Sequence, residues 1–277
     1  MSEALAIERQ GPIGLVTMNR PERHNAFDDA LIAELTDAFR SMEAEDGIRI
    51  VVLSGAGKSF SAGADLHWMK RMAGFSMEEN RRDAMALAAL MRTIAHLRKP
   101  TLARVQGAAL GGGVGLVACC DVAVATQGAT FSLSEVKLGL IPAVISPYVV
   151  AAIGERAARR YFLTAERFTA AEAWRIGLVH EVSVGEDEMD ETIGAIVDAM
   201  LAASPMAQKE AKDLIRAVAH RPLTSEVVQD TAERIAKIRS SPEGREGVAA
   251  FLEKRRASWV PPEPQPEIPP DLPAAGE

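Results

Sequence analysis

Apolar and polar positions along this chain switch between two periods, and the switches mark out its elements. Ala4–Ile7 and Ile13–Met18 are short apolar runs on either side of Gln10-Gly11-Pro12, whose glycine and proline suit a turn, so the chain is expected to open with a β-hairpin. Leu31, Ile32, Leu35, Ala38, Phe39 and Met42 then recur at three- and four-residue steps. That is the repeat of one helix face, and Asp28 stands where its carboxylate caps the first turn. Ile48–Leu53 is dense in β-branched side chains and reads as a buried strand. After breaks at Gly55, Gly57 and Gly63, a second helical stretch covers Met77–Leu97. It stops before Lys99-Pro100, because a residue preceding proline is steered out of helical geometry.

The middle of the chain repeats the cycle: Thr101–Val105 reads as a strand, Gly111–Gly113 opens a short helix, and Val122–Ala125 returns as a strand. Strands alternating with helices imply crossovers, hence an α/β core with ligands gathered at the loops that follow the strands. From Met189 onward the apolar spacing is helical, with Pro205, Pro222 and Pro242 placed where helices start or stop. The expected division is a core over 1–190, a helical region over 191–260 and a tail over 261–277. That tail is too rich in proline and too poor in large apolar groups to offset its ordering entropy by burial.

Composition narrows the function. With 277 residues, 48% of them apolar, the chain can bury a substantial core. A net charge of −7, with no basic block interleaved with aromatics, argues against a nucleic-acid partner, so an anionic ligand has to be held locally. Cys119 and Cys120 are adjacent, unsuited to an ordinary disulfide and without metal-ligand spacing, so no metal site and a reducing, cytoplasmic setting are expected. The first ten residues lack the basic start and long apolar run of a secretory signal, and no apolar run reaches membrane-spanning length. A protein neither exported nor inserted in a membrane is expected.

Two small-residue segments carry the candidate chemistry. Gly57-Lys58-Ser59-Phe60-Ser61-Ala62-Gly63-Ala64-Asp65-Leu66 leads from a strand into a helix, a junction that exposes unpaired N–H donors to a polarised oxygen, although a tight turn would use the same residues. Gly107-Ala108-Ala109-Leu110-Gly111-Gly112-Gly113-Val114-Gly115-Leu116 places consecutive glycines at a helix start, where a ligand can approach the backbone closely. The segment has neither a Gly-Lys-Ser/Thr ending nor a spaced dinucleotide fingerprint, which disfavours a phosphate cradle. Two donor loops together suggest a two-pronged oxyanion hole.

With the carboxylate of Phe131-Ser132-Leu133-Ser134-Glu135-Val136-Lys137-Leu138-Gly139 and the stretch Asn19-Arg20-Pro21-Glu22-Arg23-His24-Asn25-Ala26-Phe27, these segments resemble the enoyl-CoA hydratase/isomerase (crotonase) family, in order and spacing, from about Ala4 to Trp259. The resemblance implies a spiral of ββα units, a helical C-terminal region used to assemble homotrimers that often pair into hexamers, and acyl-coenzyme A substrates of fatty-acid or branched amino-acid degradation. No separate cofactor is implied, because coenzyme A is part of the substrate. Carried over residue by residue, the oxyanion N–H groups fall on Ala64 and Gly112 and the acid/base on Glu135. Substrate contacts fall on Ala62, Asp65 and Leu66, with Ala26 and Gly111 beside them. Apart from the resemblance, Arg23 and Lys58 are candidates for the coenzyme A phosphates as cations near the donor loops. His67, just beyond Ala64, is a candidate for an auxiliary acid/base or cofactor contact, or for a merely solvated side chain.

Hydratases of the family generally use two glutamates, and here the first of the two positions is Gly115. A single carboxyl suffices to move a proton between carbons, as a Δ3,Δ2-enoyl-CoA isomerase does, whereas hydration also needs a held water. The stretch from Ser134 to Phe168, without a Gly-Gly pair after Ile141-Pro142, is most similar to hydratases of branched, carboxylated substrates such as methylglutaconyl-CoA and isohexenylglutaconyl-CoA. The expectation is a hydratase of such a substrate, with Gly115 leaving room for a C3 branch and the substrate's distal carboxylate helping to hold the water. The isomerase is the alternative within the family, and a non-catalytic acyl-CoA- or RNA-binding relative the alternative outside it. Ala143 replaces the aspartate of dienoyl-CoA isomerases, which disfavours that chemistry. For Lys137 three readings stay open, pairing with a substrate carboxylate, depressing the Glu135 pKa or simple solvation, while Asp121 reads as a structural contact.

Overall fold

The computed structural model describes residues 4–262. The opening hairpin forms as the pattern requires: β1 (Leu5–Gln10) pairs antiparallel with β2 (Ile13–Met18), and Gly11 supplies the positive φ of the turn. Helix α1 (Asp29–Ala44) starts where Asp28 accepts from the Leu31 N–H, and it buries the Leu31–Met42 face. The next strand, β3 (Ile50–Gly55), begins two residues later than the apolar run, because the Ile48 N–H is taken by Glu45 in a turn.

Two helices, α2 (Leu66–Met72) and α3 (Met77–Ala95), lead to β4 (Thr101–Val105); α3 opens on a reciprocal Ser76–Glu79 capping box. Then come β5 (Ala108–Leu110), α4 (Gly112–Cys119), β6 (Val122–Thr126) and β7 (Thr130–Ser132). A 3₁₀ turn at Glu135–Leu138 precedes α5 (Ser146–Thr164). β8 (Phe168–Thr169), α6 (Ala170–Arg175), β9 (Glu181–Ser183) and α7 (Glu186–Ala202) complete the sheets and their cover. The chain then continues through α8 (Pro205–Val218), α9 (Ser225–Ser240) and α10 (Pro242–Leu252), the first and third starting on proline.

The six-stranded sheet runs β1-β2-β3-β4-β6-β9, parallel after the hairpin, and β5-β7-β8 form a second, smaller sheet. The α/β architecture with a helical end is therefore the one expected. The small sheet, β9 and α2 were beyond the reach of periodicity, because elements of two to seven residues hold too few repeats to show one.

One large apolar cluster joins the inner sheet face to α1, α3, α4 and α5. On the opposite face, Met189, Ile193 and Val197 of α7 pack on Ile50, Val52, Leu102 and Val124. Helix α7 straddles the boundary drawn at residue 190, and its packing places it with the core. The expected proline-rich tail lies outside the described residues from 263 onward.

Two polar latches fasten the helical end to this core. Arg49 donates to the carbonyls of Leu201, Ala203 and Trp259. Asp121 Oδ2 accepts from the Thr101 N–H and hydroxyl and from Lys212 Nζ of α8, so the structural reading of Asp121 holds. Asp121→Ala strands those donors and is expected to cost about 1–3 kcal/mol, read as a lower melting temperature with unchanged turnover per folded molecule. No helix among the described residues is long and apolar enough to cross a membrane.

Candidate active site

The two donor segments lie side by side because each donates to the other's strand edge. Ser61 bridges Ala109 in parallel, with the Ser61 N–H on the Ala108 carbonyl and the Leu110 N–H on the Ser61 carbonyl. A Cβ on Gly63 would lie 3.0 Å from the Leu110 carbonyl oxygen and 4.0 Å from the Gly111 nitrogen, so the residues just before Ala64 and Gly112 approach closely. Ala64 also bridges Phe27: the Phe27 N–H donates to the Gly63 carbonyl and the Asp65 N–H to the Phe27 carbonyl. These bonds use the residues flanking Ala64, and the pleat turns its own N–H away from Phe27. Gly112 is the first residue of α4, where a helix has no internal acceptor to offer. Among the described residues neither N–H makes a hydrogen bond.

Close packing beneath these donors dictates their residue types. Gly111 caps α4 at φ 51°, ψ −117°, which glycine alone adopts readily. A Cβ on Gly112 would stand 2.6 Å from Cε2 of the buried Phe27 ring. Phe27 and Ser61, whose hydroxyl donates to the Asn25 carbonyl at 2.8 Å, thus fix the floor of the donor pair.

Glu135 faces the same place. An ideal Cβ on Gly111 would lie 3.1 Å from its Oε1. Its Oε2 is buried and, among the described residues, has no hydrogen-bond partner. Burial pushes its pKa up from the ordinary 4.5, only partly opposed by its own backbone N–H. No charged neighbour contributes, so Lys137, which is exposed, does not depress this carboxyl.

The other sequence candidates divide. Gly111 and Ala62 lie within the paired segments, Ala62 donating its N–H to the His24 carbonyl. Leu66 and His67 are exposed at the start of α2, beyond Ala64, and the structure brings neither to Glu135. Ala26 is buried behind Phe27, its carbonyl facing Arg20. Arg23 is half-exposed, 3.3 Å from Asp65, on the rim of the donor loop. Lys58 is exposed in the same loop.

Asp65, a candidate substrate contact, holds its own loop together. Its carboxylate caps α2, accepting from the N–H groups of His67 (2.8 Å) and Trp68 (3.2 Å), and it is ion-paired with Arg23 and Arg20. Burial raises its pKa, but those N–H groups and Arg23 outweigh burial and hold it below the usual value. It positions the loop. Gly115 is corrected: the space above it is not open for a substrate branch. A Cβ there would sit 2.2 Å from Ile145 Cγ2 and 3.2 Å from Met91 Cε, so these two buried side chains already fill it.

Asn25, part of the 19–27 stretch, had no role assigned from the sequence. It is fully buried at positive φ, with Oδ1 accepting from the Arg20 N–H and Nδ2 donating to the carbonyls of Ala56 and Ser59. This amide clamps the 19–27 turn to the donor loop, and Gln106 does the same from β4, donating to the Gly55 and Gly57 carbonyls. A polar residue flanked by turn signals was the only trace of either. The buried Cys119 and Cys120 are unpaired, and burial lifts both thiols, Cys120 to about 12, so they stay protonated as small core groups. Among the described residues no group of three His, Cys, Asp or Glu could hold a metal ion.

Two lone backbone donors with a buried carboxyl beside them is the arrangement enolate chemistry on a thioester requires, and the sequence pattern of the enoyl-CoA hydratase/isomerase family matches residues 8–262. The chain belongs to that family. A Shewanella pealeana structure named as an enoyl-CoA hydratase superposes with a TM-score of 0.90 at 43% identity, covering 92% of this chain and 96% of the other. A Legionella pneumophila structure named as an enoyl-CoA hydratase/isomerase (crotonase) gives a TM-score of 0.88 at 47% identity, covering 93% and 99%. The short-chain-enoyl-CoA hydratase of Clostridium acetobutylicum is 32% identical over 90% of this chain and 95% of its own. The crotonase fold is thus shared along the chain, and the protein is an enoyl-CoA hydratase/isomerase family enzyme acting on acyl-CoA.

Proposed function

We propose that this enzyme adds water to an α,β-unsaturated acyl-CoA with Glu135 as its one protein acid/base, and that its preferred acyl group is short, branched and carboxylated, of the 3-methylglutaconyl kind. The thioester oxygen sits between the Ala64 and Gly112 N–H groups, which are free and aimed before the substrate arrives. Such donors stabilise the enolate without reorganising, each worth roughly 3 kcal/mol. The water oxygen bonds to Cβ, its proton passes to the Glu135 carboxylate, and the same carboxyl returns a proton to Cα as the enolate collapses. A carboxyl whose pKa is raised can perform both transfers near neutrality.

The observation that carries this reading is the partnerless Oε2 of Glu135, a carboxyl whose Oε1 lies against Gly111, together with the unbonded N–H groups of Ala64 and Gly112. A buried carboxylate oxygen without a partner is costly to fold, and such costs concentrate where chemistry needs them. The carboxylated substrate follows from what faces position 115: with Ile145 and Met91 there, the protein offers no second carboxyl to orient the water, and the substrate's distal carboxylate supplies one. The branch itself rests on the sequence likeness described above and not on any space at Gly115.

Half-exposed Arg23 and exposed Lys58, on the rim of the donor loop, are proposed to meet the coenzyme A phosphates, and Leu66 and His67 to border the pantetheine. Exposed apolar residues on α8, α9 and α10, including Ile215, Val228 and Phe251, suit the homotrimer that the family resemblance implies.

The single carboxyl also favours a second reading, a Δ3,Δ2-enoyl-CoA isomerase in which Glu135 carries a proton from C2 to C4. Steady-state rates on crotonyl-CoA, 3-methylglutaconyl-CoA and a 3-enoyl-CoA in 18O-labelled water separate the two. Label in the product, with methylglutaconyl-CoA the fastest, is expected. Faster hydration of crotonyl-CoA would overturn the carboxylated substrate, and double-bond migration without label would establish the isomerase.

A further inference from the structure

Gly115 and Cys119 fall four residues apart on α4 and share one helix face, which Gly111, the N-cap residue, precedes by one turn. At the N-terminal end this face meets the Glu135 carboxyl, through the 3.1 Å approach at Gly111. One turn on, it meets Ile145 and Met91 at Gly115, and a further turn on, Cys119 Sγ lies 3.6 Å from Met91 Sδ. The face passes from a reactive carboxyl to a sealed apolar wall in a single turn. Ile145 (3% exposed) and Met91 (0%) close that wall together, one from the segment that begins with Glu135 and the other from α3.

Ile145 is also fixed in place. It is the N-cap residue of α5, and its carbonyl accepts from the Tyr148 and Val149 N–H groups at 3.1 and 3.0 Å. Its Cβ, and not only its terminal methyl groups, lies 2.8 Å from the position of a Cβ on Gly115, so rotating the side chain cannot relieve the overlap. Position 115 and position 145 are coupled in size, and a carboxyl at 115 is excluded for as long as 145 carries a side chain.

Resting on the single-carboxyl reading above, we propose that Ile145 is the specificity-determining residue of this site. It occupies the place from which a second carboxyl would hold the attacking water, and it keeps water off the α4 face beside Glu135. Substrates that bring their own polar group are thereby favoured over plain enoyl-CoAs. Releasing the plug and restoring a carboxyl must be done together, and glycine rather than alanine is required at 145.

The test compares Gly115→Glu, Ile145→Gly and the double variant on crotonyl-CoA, which has no distal carboxylate. The double variant is expected to hydrate it at least ~10-fold faster than Ile145→Gly alone, in line with the return of an acid/base group, and to show a second ionisation in its pH–rate profile. A double variant without that gain, or a Gly115→Glu single variant that matches it in rate and melting temperature, would overturn the proposal. Gly115→Ala guards against misfolding: it should lower the melting temperature by about 5 °C in the wild-type background and leave it unchanged in the Ile145→Gly background. Equal losses in both backgrounds count against the coupling. Glu135→Gln in the wild-type chain separates the two ideas: retained activity there would sink the acid/base reading, whereas the 115–145 coupling is judged by the melting temperatures alone.

Discussion

Glu135→Gln is expected to reduce turnover about 10²–10⁴-fold and to leave the folded protein at least as stable as before. The amide keeps the shape of the side chain and deletes its proton chemistry. It also puts a neutral amide where burial disfavours the charged carboxylate and raises its pKa above 4.5. The pH dependence has a definite sign. Between pH 4.5 and the higher folded-state pKa, the native chain holds a proton that the unfolded chain has released, so the Glu135 contribution to stability falls as pH rises through that window. The glutamine variant lacks that slope in thermal melts. Activity follows the opposite course in the wild type: the carboxylate must accept a proton from water, so kcat/KM rises with pH through the same raised pKa, and its acid limb lies above that of an ordinary glutamate.

Ala64→Pro is expected to be nearly as damaging, with a fall in kcat of about 10²–10³-fold. Proline removes one of the two N–H groups proposed to hold the thioester oxygen while keeping the bonds that hold the loop, because those run through Gly63 and Asp65. Side-chain substitutions at Ala64 leave the donor in place and should change kcat far less. Circular dichroism and melting temperature, set beside the kinetics, distinguish loss of the donor from loss of the loop. A proline variant that folds normally and turns over at the wild-type rate would remove Ala64 from the oxyanion hole.

The elements that carry the candidate site could largely be read from the sequence. Long elements announced themselves by period: the Leu31–Met42 face became the buried face of α1, and the Asp28 cap formed as its position implied. The donor loops were legible because glycine and alanine cluster where backbone must do the work of side chains. What stayed hidden depends on contacts between distant residues. The capping of α2 by Asp65 was not read from the sequence, although a carboxylate two and three residues before free N–H groups readily takes them. Gly115 looked like space for a substrate, and only the packed chain shows that Ile145, thirty residues on, occupies it. Asn25 and Gln106 left no periodic trace, because a side chain that bonds to backbone carbonyls across the fold obeys no local repeat.

The most direct measurement is a crystal structure with a slowly reacting acyl-CoA analogue that retains its thioester carbonyl. The thioester oxygen should lie roughly 2.7–3.1 Å from the nitrogens of both Ala64 and Gly112, and a Glu135 carboxyl oxygen should stand within about 3.5 Å of Cα. An oxygen held by neither amide, or a Glu135 turned away from the acyl group, would contradict the chemistry assigned to this site.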